Sequence, residues 1–396
     1  MADAMSRSPS GLGQEREAPA YTNTRPEMPP GVSTLPARYY TDPDHFRLEM
    51  ERIHFDMWLC AGRTQHLAAP GRYFVREVGN ASVIVLAGED GGVAAFHNVC
   101  RHRGTRLCKA GEGELPGRIQ CPYHAWTYGL DGRLLGAPHM DKVEGFAEAD
   151  YPLPRVATAV WDGHVFINLA ERPRPFAEHL AGLPAKFAPW GMADLRLVER
   201  RVYTLRANWK LIIQNYSECL HCPTVHPLLH RQSHYMSGQN EPPQPTYLGG
   251  RMDLREGVKT LSMDGDSARA CLPGLSPADR RHVYYYAILP NLLLNLHPDY
   301  MLTFTIWPRE VDRTDVVCEW HFHPDEIARA GFDPSGPIEL WDLTNRQDWE
   351  LSELAQQGIG SRGYRPGPYS NREELLQALD RFVVGRTGAA GPPAIR

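Results

Sequence analysis

Residues 121–132 read CPYHAWTYGLDG and residues 100–104 read CRHRG. Each stretch combines one cysteine and one histidine with nearby turn residues, so each offers one thiolate and one imidazole to a metal. The four potential ligands are Cys100, His102, Cys121 and His124. Two sulfur and two nitrogen donors on two separate loops predict a metal centre around which the local fold is organised.

Two kinds of centre use this donor set. A structural zinc is bound tetrahedrally by thiolates and imidazoles, but zinc fingers usually pair Cys with Cys and His with His along the chain. A Rieske [2Fe-2S] cluster takes two cysteines on one iron and two histidines on the other. Because each loop here contributes one residue of each kind, the sequence favours the cluster over zinc.

The segments around the two loops predict a small antiparallel β domain. YFVREV, SVIVLA and VAAF, within residues 72–97, are short β-branched and aromatic runs separated by turn residues, which is typical of hairpins. The first ligand loop follows VAAF, and VWDGHVFINL predicts the last strands. We place this domain at residues 58–169. A helix over residues 38–57, with Asp42 as N-cap and Pro43 in its first turn, should pack on the body.

The rest of the chain, residues 170–396, mixes strand and helix patterns. RRVYTL, HVYYYAILP, YMLTFTIWP and VVCEWHFHP predict strands, and IELWDLTNRQDWELSELAQQG predicts a long helix that ends at Gly358. The whole chain is therefore expected to be an α+β protein of two domains. Residues 1–37 are rich in Pro, Gly, Ser and charge and predict a disordered lead.

The composition narrows the class of protein. The chain of 396 residues is 42% hydrophobic and 22% charged, as in ordinary globular proteins. Its 42 basic and 47 acidic residues leave no cationic excess for nucleic acid. No apolar run approaches the roughly 20 residues that cross a membrane, so we expect a cytoplasmic protein without membrane contact. The cysteines outside the two loops are interpreted as packing residues rather than a disulfide framework. They are Cys60, Cys108, Cys219, Cys222, Cys271 and Cys318.

A second group of candidate ligands lies in NWKLIIQNYSECLHCPTVHP, residues 208–227. If residues 209–222 form a helix, a polar stripe follows one face of an otherwise apolar element. Its polar members are Gln214, Asn215, Glu218, His221 and Cys222. Pro223 should end the helix, so that the following turn brings His226 beside His221.

A carboxylate is needed to complete a site with these two histidines. Two His and one carboxylate on a single face leave open positions on iron, the arrangement of non-haem Fe(II) oxygenases. Glu218 shares a helical turn with His221 and is better placed to orient that imidazole. Asp348 lies among the apolar positions of the long C-terminal helix, where an acid requires a cation. We therefore predict Asp348 as the third ligand, with Asp299 as the alternative.

These motifs resemble a known family. CxHRG followed by CPYHAWxYxxDG is similar to the Rieske domain of ring-hydroxylating oxygenase α subunits, and NWKxxxxNYxExxHxxxxHP with QDxxLxExxQxG is similar to their catalytic domain. The resemblance covers residues 38–385. It implies a helix-grip catalytic domain with a curved antiparallel sheet, a [2Fe-2S] cluster on the first ligand set and a mononuclear Fe(II). The implied iron ligands are His221, His226 and Asp348, and the candidate catalytic residues are Asn215 and Glu218.

The resemblance also implies partners. The chain has no Gly-rich dinucleotide fingerprint, so electrons from NADH or NADPH should arrive through a separate flavin or ferredoxin reductase. In this family electrons pass from a cluster ligand, here His124, to a bridging acid of the adjoining subunit, here Glu218, which implies a homotrimer. The substrates would be O2 and a small organic molecule. The alternative is a Rieske electron-transfer or sensor protein without oxygenase activity.

One departure bears on the substrate. Many members that dihydroxylate aromatic rings carry Asp where this chain has Glu218. NYxECxHC and the downstream GPYS resemble instead the branch that oxidises N-methyl groups of quaternary ammonium compounds. Oxidation of an N-methyl or alkyl carbon therefore competes with hydroxylation of an aromatic ring. Candidate substrate contacts are His230, His234, Tyr285 and Tyr286.

Overall fold

The computed structural model describes residues 28, 29 and 31–388. Their N-terminal half contains ten short strands that pair only in the antiparallel sense. These are β1 (Leu59–Arg63), β2 (Arg72–Val78), β3 (Ala81–Ala87), β4 (Val93–His97), β5 (Glu112–Glu114), β6 (Arg118–Gln120), β7 (Thr127–Gly129), β8 (Leu134–Gly136), β9 (Arg155–Trp161) and β10 (His164–Asn168). A seven-stranded sheet has the order β1-β10-β9-β4-β3-β2-β5, and β6-β7-β8 form a small second sheet.

The predicted hairpins are present in this β domain. Strands β2 and β3 pair from Tyr73 opposite Leu86 to Val78 opposite Ala81. Strand β4 leads directly into the first ligand loop, and the second ligand loop joins β6 to β7. Gly132 fits its turn with φ +85°, where a Cβ atom would collide with the Phe96 ring. The two ligand loops are thus held by the two different sheets.

A second seven-stranded antiparallel sheet forms the C-terminal half. Its strands are β11 (Arg196–Leu205), β12 (Gln239–Asn240), β13 (Tyr247–Asp253), β14 (His282–Ile288), β15 (Leu292–Leu296), β16 (Tyr300–Glu310) and β17 (Arg313–Phe322). They follow the order β11-β17-β16-β15-β14-β13-β12. The sheet is curled, as the helix-grip resemblance predicts. Its strands alternate between two faces, so Tyr285 and Tyr286 belong to two different hydrophobic clusters.

The helices of the described residues pack mainly on one face of this sheet. They are α1 (Arg38–Thr41), α2 (Pro43–Glu49), α3 (Phe176–Leu180), α4 (Leu183–Phe187), α5 (Trp209–Tyr216), α6 (Cys222–Val225), α7 (Pro227–Gln232), α8 (Pro324–Ile327), α9 (Ser335–Ile359) and α10 (Glu374–Thr387). Asp42 caps α2 by accepting the Asp44 N–H, and Pro43 is its first residue, as predicted. The long helix α9 ends one residue beyond Gly358 and buries Leu340 and Trp341 against the sheet.

The helix predicted over residues 209–222 is shorter than expected. Helix α5 ends at Tyr216, and a turn of irregular backbone follows before α6. In that turn the Glu218 carboxylate accepts the Leu220 N–H, and Ser217 bonds back to the Ile213 carbonyl. Such side-chain bonds to the backbone compete with helical bonds and end the helix before Pro223 is reached.

The predicted disordered lead also needs correction. Residues 1–27 and 30 lie outside the described residues, but the segment 31–37 is packed on the body. Leu35 is fully buried, the Thr34 N–H donates to the Gly367 carbonyl, and Ser33 forms a β bridge with Pro368. The composition suggested that ordering this segment would cost too much conformational entropy. Burial of Leu35 and the backbone pairing offset that cost. Among the described residues no helix is long and apolar enough to cross a bilayer.

Candidate functional site

The two ligand loops of the β domain share one backbone pattern. In each, the cysteine carbonyl accepts the N–H four residues on, from Gly104 or from Ala125, at 3.0 and 3.1 Å. The cysteine N–H donates to the carbonyl five residues on in both loops, each at 2.8 Å. Gly104 and Ala125 both have positive φ, and the latter is unusual for a residue with a side chain. The loops therefore present their ligands in equivalent turns.

The four predicted cluster ligands come together at the tips of these loops. Cys100 and Cys121 are buried, whereas His102 is exposed and His124 is half-buried. The centroids of the two imidazole rings are 4.8 Å apart. The donor set is therefore arranged with sulfur inside and imidazole at the surface, which suits a cluster that receives electrons from outside and passes them on.

Neighbouring side chains hold these ligands. The Tyr128 hydroxyl lies 3.3 Å from the Cys100 sulfur and accepts the Arg101 N–H at 3.0 Å. The Trp126 indole stacks under the His102 ring at 4.8 Å. Burial raises the pKa of the Cys100 thiol, while the hydrogen bond to Tyr128 opposes this shift. A positively charged iron pair would favour the thiolate and offset its burial, so the residues fit a [2Fe-2S] cluster.

The second predicted ligand set also converges. His221 lies in the turn after α5, His226 immediately precedes α7, and Asp348 lies in the middle of α9. The Nε2 atoms of His226 and His221 are 2.8 and 3.2 Å from the same Asp348 oxygen, Oδ1. Three elements distant in sequence thus place three ligand atoms at one point.

This triad fits a mononuclear metal. Octahedral ligands about 2.1 Å from a small divalent ion lie about 3 Å from one another at right angles, close to the separations seen here. Burial lowers the pKa of His221, but hydrogen bonds to Asp348 and Glu218 outweigh it and raise that pKa to about 10. Burial raises the pKa of Asp348, but its bonds to the two imidazoles hold it below the usual value. A divalent cation would replace these protons and satisfy the same carboxylate.

Each histidine has an acceptor on its other ring nitrogen. Glu218 Oε1 lies 2.6 Å from His221 Nδ1, as the sequence predicts. Gln347 Oε1 lies 2.8 Å from His226 Nδ1. Gln347 was not predicted from the sequence, although its position immediately before Asp348 was an available signal. These two contacts fix each imidazole so that Nε2 faces the metal position.

Asp299, the alternative ligand, lies elsewhere. It is buried and forms an ion pair with Arg269 at 2.9 Å. It also accepts hydrogen bonds from Thr260 at 2.6 Å and Ser267 at 2.8 Å. Its charge is therefore satisfied by the protein alone, and it does not approach the two histidines.

A cavity of about 110 Å³ adjoins the triad. Five aromatic side chains in its wall form a continuous series with ring centroids 6.2 to 6.4 Å apart. In order, they are Trp341, Tyr285, Tyr216, Phe304 and Trp349. Asn215 lines the cavity as well. Of the four predicted substrate contacts, Tyr285 alone lines it, because Tyr286 points to the opposite face of the sheet and His230 and His234 lie outside the wall.

One prediction about cysteines is wrong. Cys219 and Cys222 form a disulfide, while the other six cysteines are free. The turn that follows α5 brings their Cα atoms to 5.1 Å, within the range that a disulfide requires. The Cys-x-x-Cys spacing was the available signal. The bridge spans Leu220 and His221 and begins directly after Glu218.

Comparisons with known proteins identify both domains. Residues 57–147 match the Rieske [2Fe-2S] domain, and residues 192–389 match the ring hydroxylating alpha subunit catalytic domain. The glycine betaine monooxygenase oxygenase subunit of Chromohalobacter salexigens is 35% identical over 395 residues, covering 91% of this chain and 88% of the relative. The carnitine monooxygenase oxygenase subunit of Escherichia coli K12 is 31% identical over 344 residues, covering 84% and 86%.

A solved structure extends the comparison. It is that of a quaternary ammonium Rieske monooxygenase, described as revealing carnitine oxidation by gut microbiota and inter-subunit electron transfer. Its TM-score to this chain is 0.77 at 27% identity, with 91% of this chain and 99% of that chain covered. The Rieske match selects the cluster over zinc, and the relatives are oxygenases rather than electron carriers or sensors. The chain therefore belongs to the ring-hydroxylating α-subunit family of Rieske non-haem iron oxygenases and is a terminal oxygenase component that uses a [2Fe-2S] cluster and a mononuclear iron.

Proposed function

We propose that this oxygenase oxidises an N-methyl carbon of a small quaternary ammonium compound. The observation that carries the proposal is the aromatic series beside the His221, His226 and Asp348 triad. Faces of aromatic rings attract quaternary ammonium groups, which cannot be recognised by hydrogen bonding. The relatives that act on glycine betaine and carnitine support the same class. The cavity volume of about 110 Å³ also suits a small compound, since a cavity of roughly 150 Å³ holds one benzene.

The reaction balances as a demethylation. One oxygen atom of O2 enters a C–H bond of the N-methyl group, and the other leaves as water after taking two electrons and two protons. The resulting N-hydroxymethyl compound breaks its C–N bond, and the electron pair stays on nitrogen. The products are formaldehyde, a tertiary amine and one proton.

We assign the metal ligands as follows. Cys100, His102, Cys121 and His124 would hold the cluster, and His221, His226 and Asp348 the iron. The bound groups supply electron transfer and oxygen activation. The chain's own residues then have distinct tasks: the aromatic series orients the ammonium group, and Glu218 and Gln347 hold the imidazoles. Asn215, on the same wall, is a candidate contact to substrate.

Electron delivery requires partners. A separate flavin or ferredoxin reductase would supply the cluster, since the histidine ligands lie at the protein surface. We infer a homotrimer in which His124 of one subunit approaches Glu218 of the next, in line with the inter-subunit transfer described for the solved relative. Glu218 already contacts His221 within the chain, so it could complete such a path. A cytoplasmic location is part of this proposal.

The test is a product assay on the purified protein loaded with iron and supplied with a reductase and NADH. The panel should include glycine betaine, carnitine, choline and tetramethylammonium, with benzoate and naphthalene as aromatic compounds. We expect formaldehyde and tertiary amine from at least one ammonium compound. Cis-diol or phenol formation, with no formaldehyde, would overturn the proposal. Asp348→Ala provides the background rate for both product types.

A further inference from the structure

Ala287 has the smallest side chain that the described residues of the sheet turn toward the cavity. It lies in β14, two residues beyond Tyr285, so both side chains are on the face that borders the cavity. Tyr286, between them, belongs to the hydrophobic cluster on the other face. The neighbouring strands place a leucine on either side, because Ala287 stands opposite Leu248 in β13 and Leu293 in β15. Both leucines also line the cavity.

A methyl group between two leucines leaves a recess in the cavity wall. Cβ atoms of directly opposite residues in an antiparallel pair are about 4.5 to 5.5 Å apart, so the longer leucine side chains project beyond the Ala287 methyl on both sides. Tyr285 closes the recess along the strand. Gly250, opposite Tyr285, does not enlarge it, since a Cβ atom there would lie 2.3 Å from a backbone oxygen of the adjacent strand. The side chain at position 287 therefore determines the depth of the recess.

The recess is apolar and lies on a different wall from the metal ligands. Ala287, its two leucine neighbours and Leu375 of α10, which also lines the cavity, belong to one hydrophobic cluster. The ligands His221, His226 and Asp348 lie instead on the helices and the turn after α5. When an N-methyl group reaches these ligands, the rest of the molecule extends past the aromatic series toward the sheet. Each methylene that the recess buries should strengthen binding about fourfold.

We propose that Ala287 is a specificity-determining residue, whose small side chain sets the length of the longest alkyl group that the substrate can carry on nitrogen. The inference rests on the proposed function and deepens it, since it concerns the end of the ammonium compound that points away from the metal ligands. A larger side chain at this position shortens the group that fits, and a smaller one lengthens it. Damage to the fold would not produce effects of opposite sign.

Ala287→Val and Ala287→Gly test this with trimethylammonium ions whose fourth group runs from methyl to hexyl. Calorimetry on the iron-loaded protein gives Kd for each compound. In the wild type, Kd should fall about fourfold with each added methylene until the recess is full, and then rise. This optimal chain length should become about one carbon shorter in Ala287→Val and about one carbon longer in Ala287→Gly. Tetramethylammonium, which does not fill the recess, should bind all three proteins alike.

Ile288→Val is the matched control. Ile288 follows Ala287 in the same strand but packs on the other face of the sheet, so this variant should keep the optimal chain length of the wild type. The inference would be overturned by a Kd that does not vary along the series. An optimal length that stays unchanged in both Ala287 variants, or that shifts equally in the control, would also overturn it.

A second series separates this inference from the proposed function. If the wild-type protein neither binds nor oxidises any ammonium compound, the proposed function fails. The same variants are then measured with 4-alkylbenzoates from methyl to hexyl. Opposite shifts of the optimal chain length in Ala287→Val and Ala287→Gly would uphold the role of Ala287 for an aromatic substrate, whereas an unchanged optimum would overturn it as well.

Discussion

Glu218 Oε1 lies 2.6 Å from Nδ1 of His221, three residues further along the chain. The same imidazole directs Nε2 toward Asp348 Oδ1 at 3.2 Å. The carboxylate therefore acts on the metal position through a single ring, and its other oxygen accepts the Leu220 N–H. This arrangement lets Glu218 orient the imidazole, and in the proposed trimer the same carboxylate would also lie on the electron path from the cluster of the adjoining subunit.

Glu218→Gln should separate these tasks. The amide retains an oxygen that can accept from His221, but it loses the negative charge. We expect the cluster and the iron to remain, while single-turnover product formation from pre-reduced protein falls by about 10- to 100-fold. Glu339→Gln, an exposed change on α9, is the matched control. Full product yield at the wild-type rate would show that Glu218 has no part in electron transfer.

Gln347→Leu should weaken iron binding rather than electron transfer. The change removes the acceptor on His226 Nδ1, so the ring can rotate and its Nε2 is less basic. Loss of such an outer contact typically lowers metal affinity by about 10- to 100-fold. Iron retained per chain after dialysis against a graded chelator measures this loss. Gln357→Leu lies exposed further along the same helix and should retain iron as the wild type does; equal retention in both variants would contradict the prediction.

Asp348 and Asp299 should give opposite results when each is replaced by alanine. Asp348→Ala should lower the iron content from about three to about two per chain while the cluster sulfide is unchanged. Asp299→Ala should keep all the iron, but it leaves Arg269 buried without its partner and should lower the free energy of unfolding by about 3 to 5 kcal/mol. Metal analysis and denaturant unfolding on the same samples decide the point. If Asp299→Ala lost iron and Asp348→Ala did not, Asp299 rather than Asp348 would be the iron ligand.

The sequence was sufficient to predict which side chains lie together where their spacing along the chain alone determines it. The cysteine and histidine pairs lie on short loops, and the amphipathic pattern of α9 placed Asp348 on its buried side. The sequence was insufficient to predict where a helix ends when side chains compete with the backbone for its hydrogen bonds. The bond from Leu220 to the Glu218 carboxylate ends α5 early, and nothing in the apolar pattern of residues 209–222 shows that this bond will form.

Contacts between segments that are distant in the sequence could not be predicted either. Gln347 precedes a predicted ligand, but its role depends on the position of His226, which lies more than a hundred residues earlier. The run Tyr284–Tyr286 alternates across a strand, so one or two of its rings must face the cavity. The register with β13 and β15 decides which, and it selects Tyr285. Both contacts depend on how distant segments pack in the folded protein, which the local sequence does not show.

His54 makes the fold sensitive to acid. It is fully buried beside the Trp209 ring, at 5.0 Å and nearly perpendicular. Burial lowers the pKa of His54 to about 4, and the nearby Glu49 opposes the shift only in part. The unfolded chain, with a histidine pKa of about 6.5, therefore binds more protons than the folded protein between about pH 4 and 6.5. The stability that the neutral ring contributes is complete above this window and is lost as the pH falls through it.

We expect this single group to lower the free energy of unfolding by about 2 kcal/mol between pH 7 and pH 5. Other groups also titrate in this range, so the informative quantity is the difference between wild type and His54→Phe, measured by urea unfolding at both pH values. The phenylalanine cannot be protonated and should lose about 2 kcal/mol less on acidification. His139→Asn, at an exposed position, should follow the wild type. Equal losses in wild type and His54→Phe would mean that the pKa of this imidazole is the same in the folded and the unfolded protein, and would contradict the prediction.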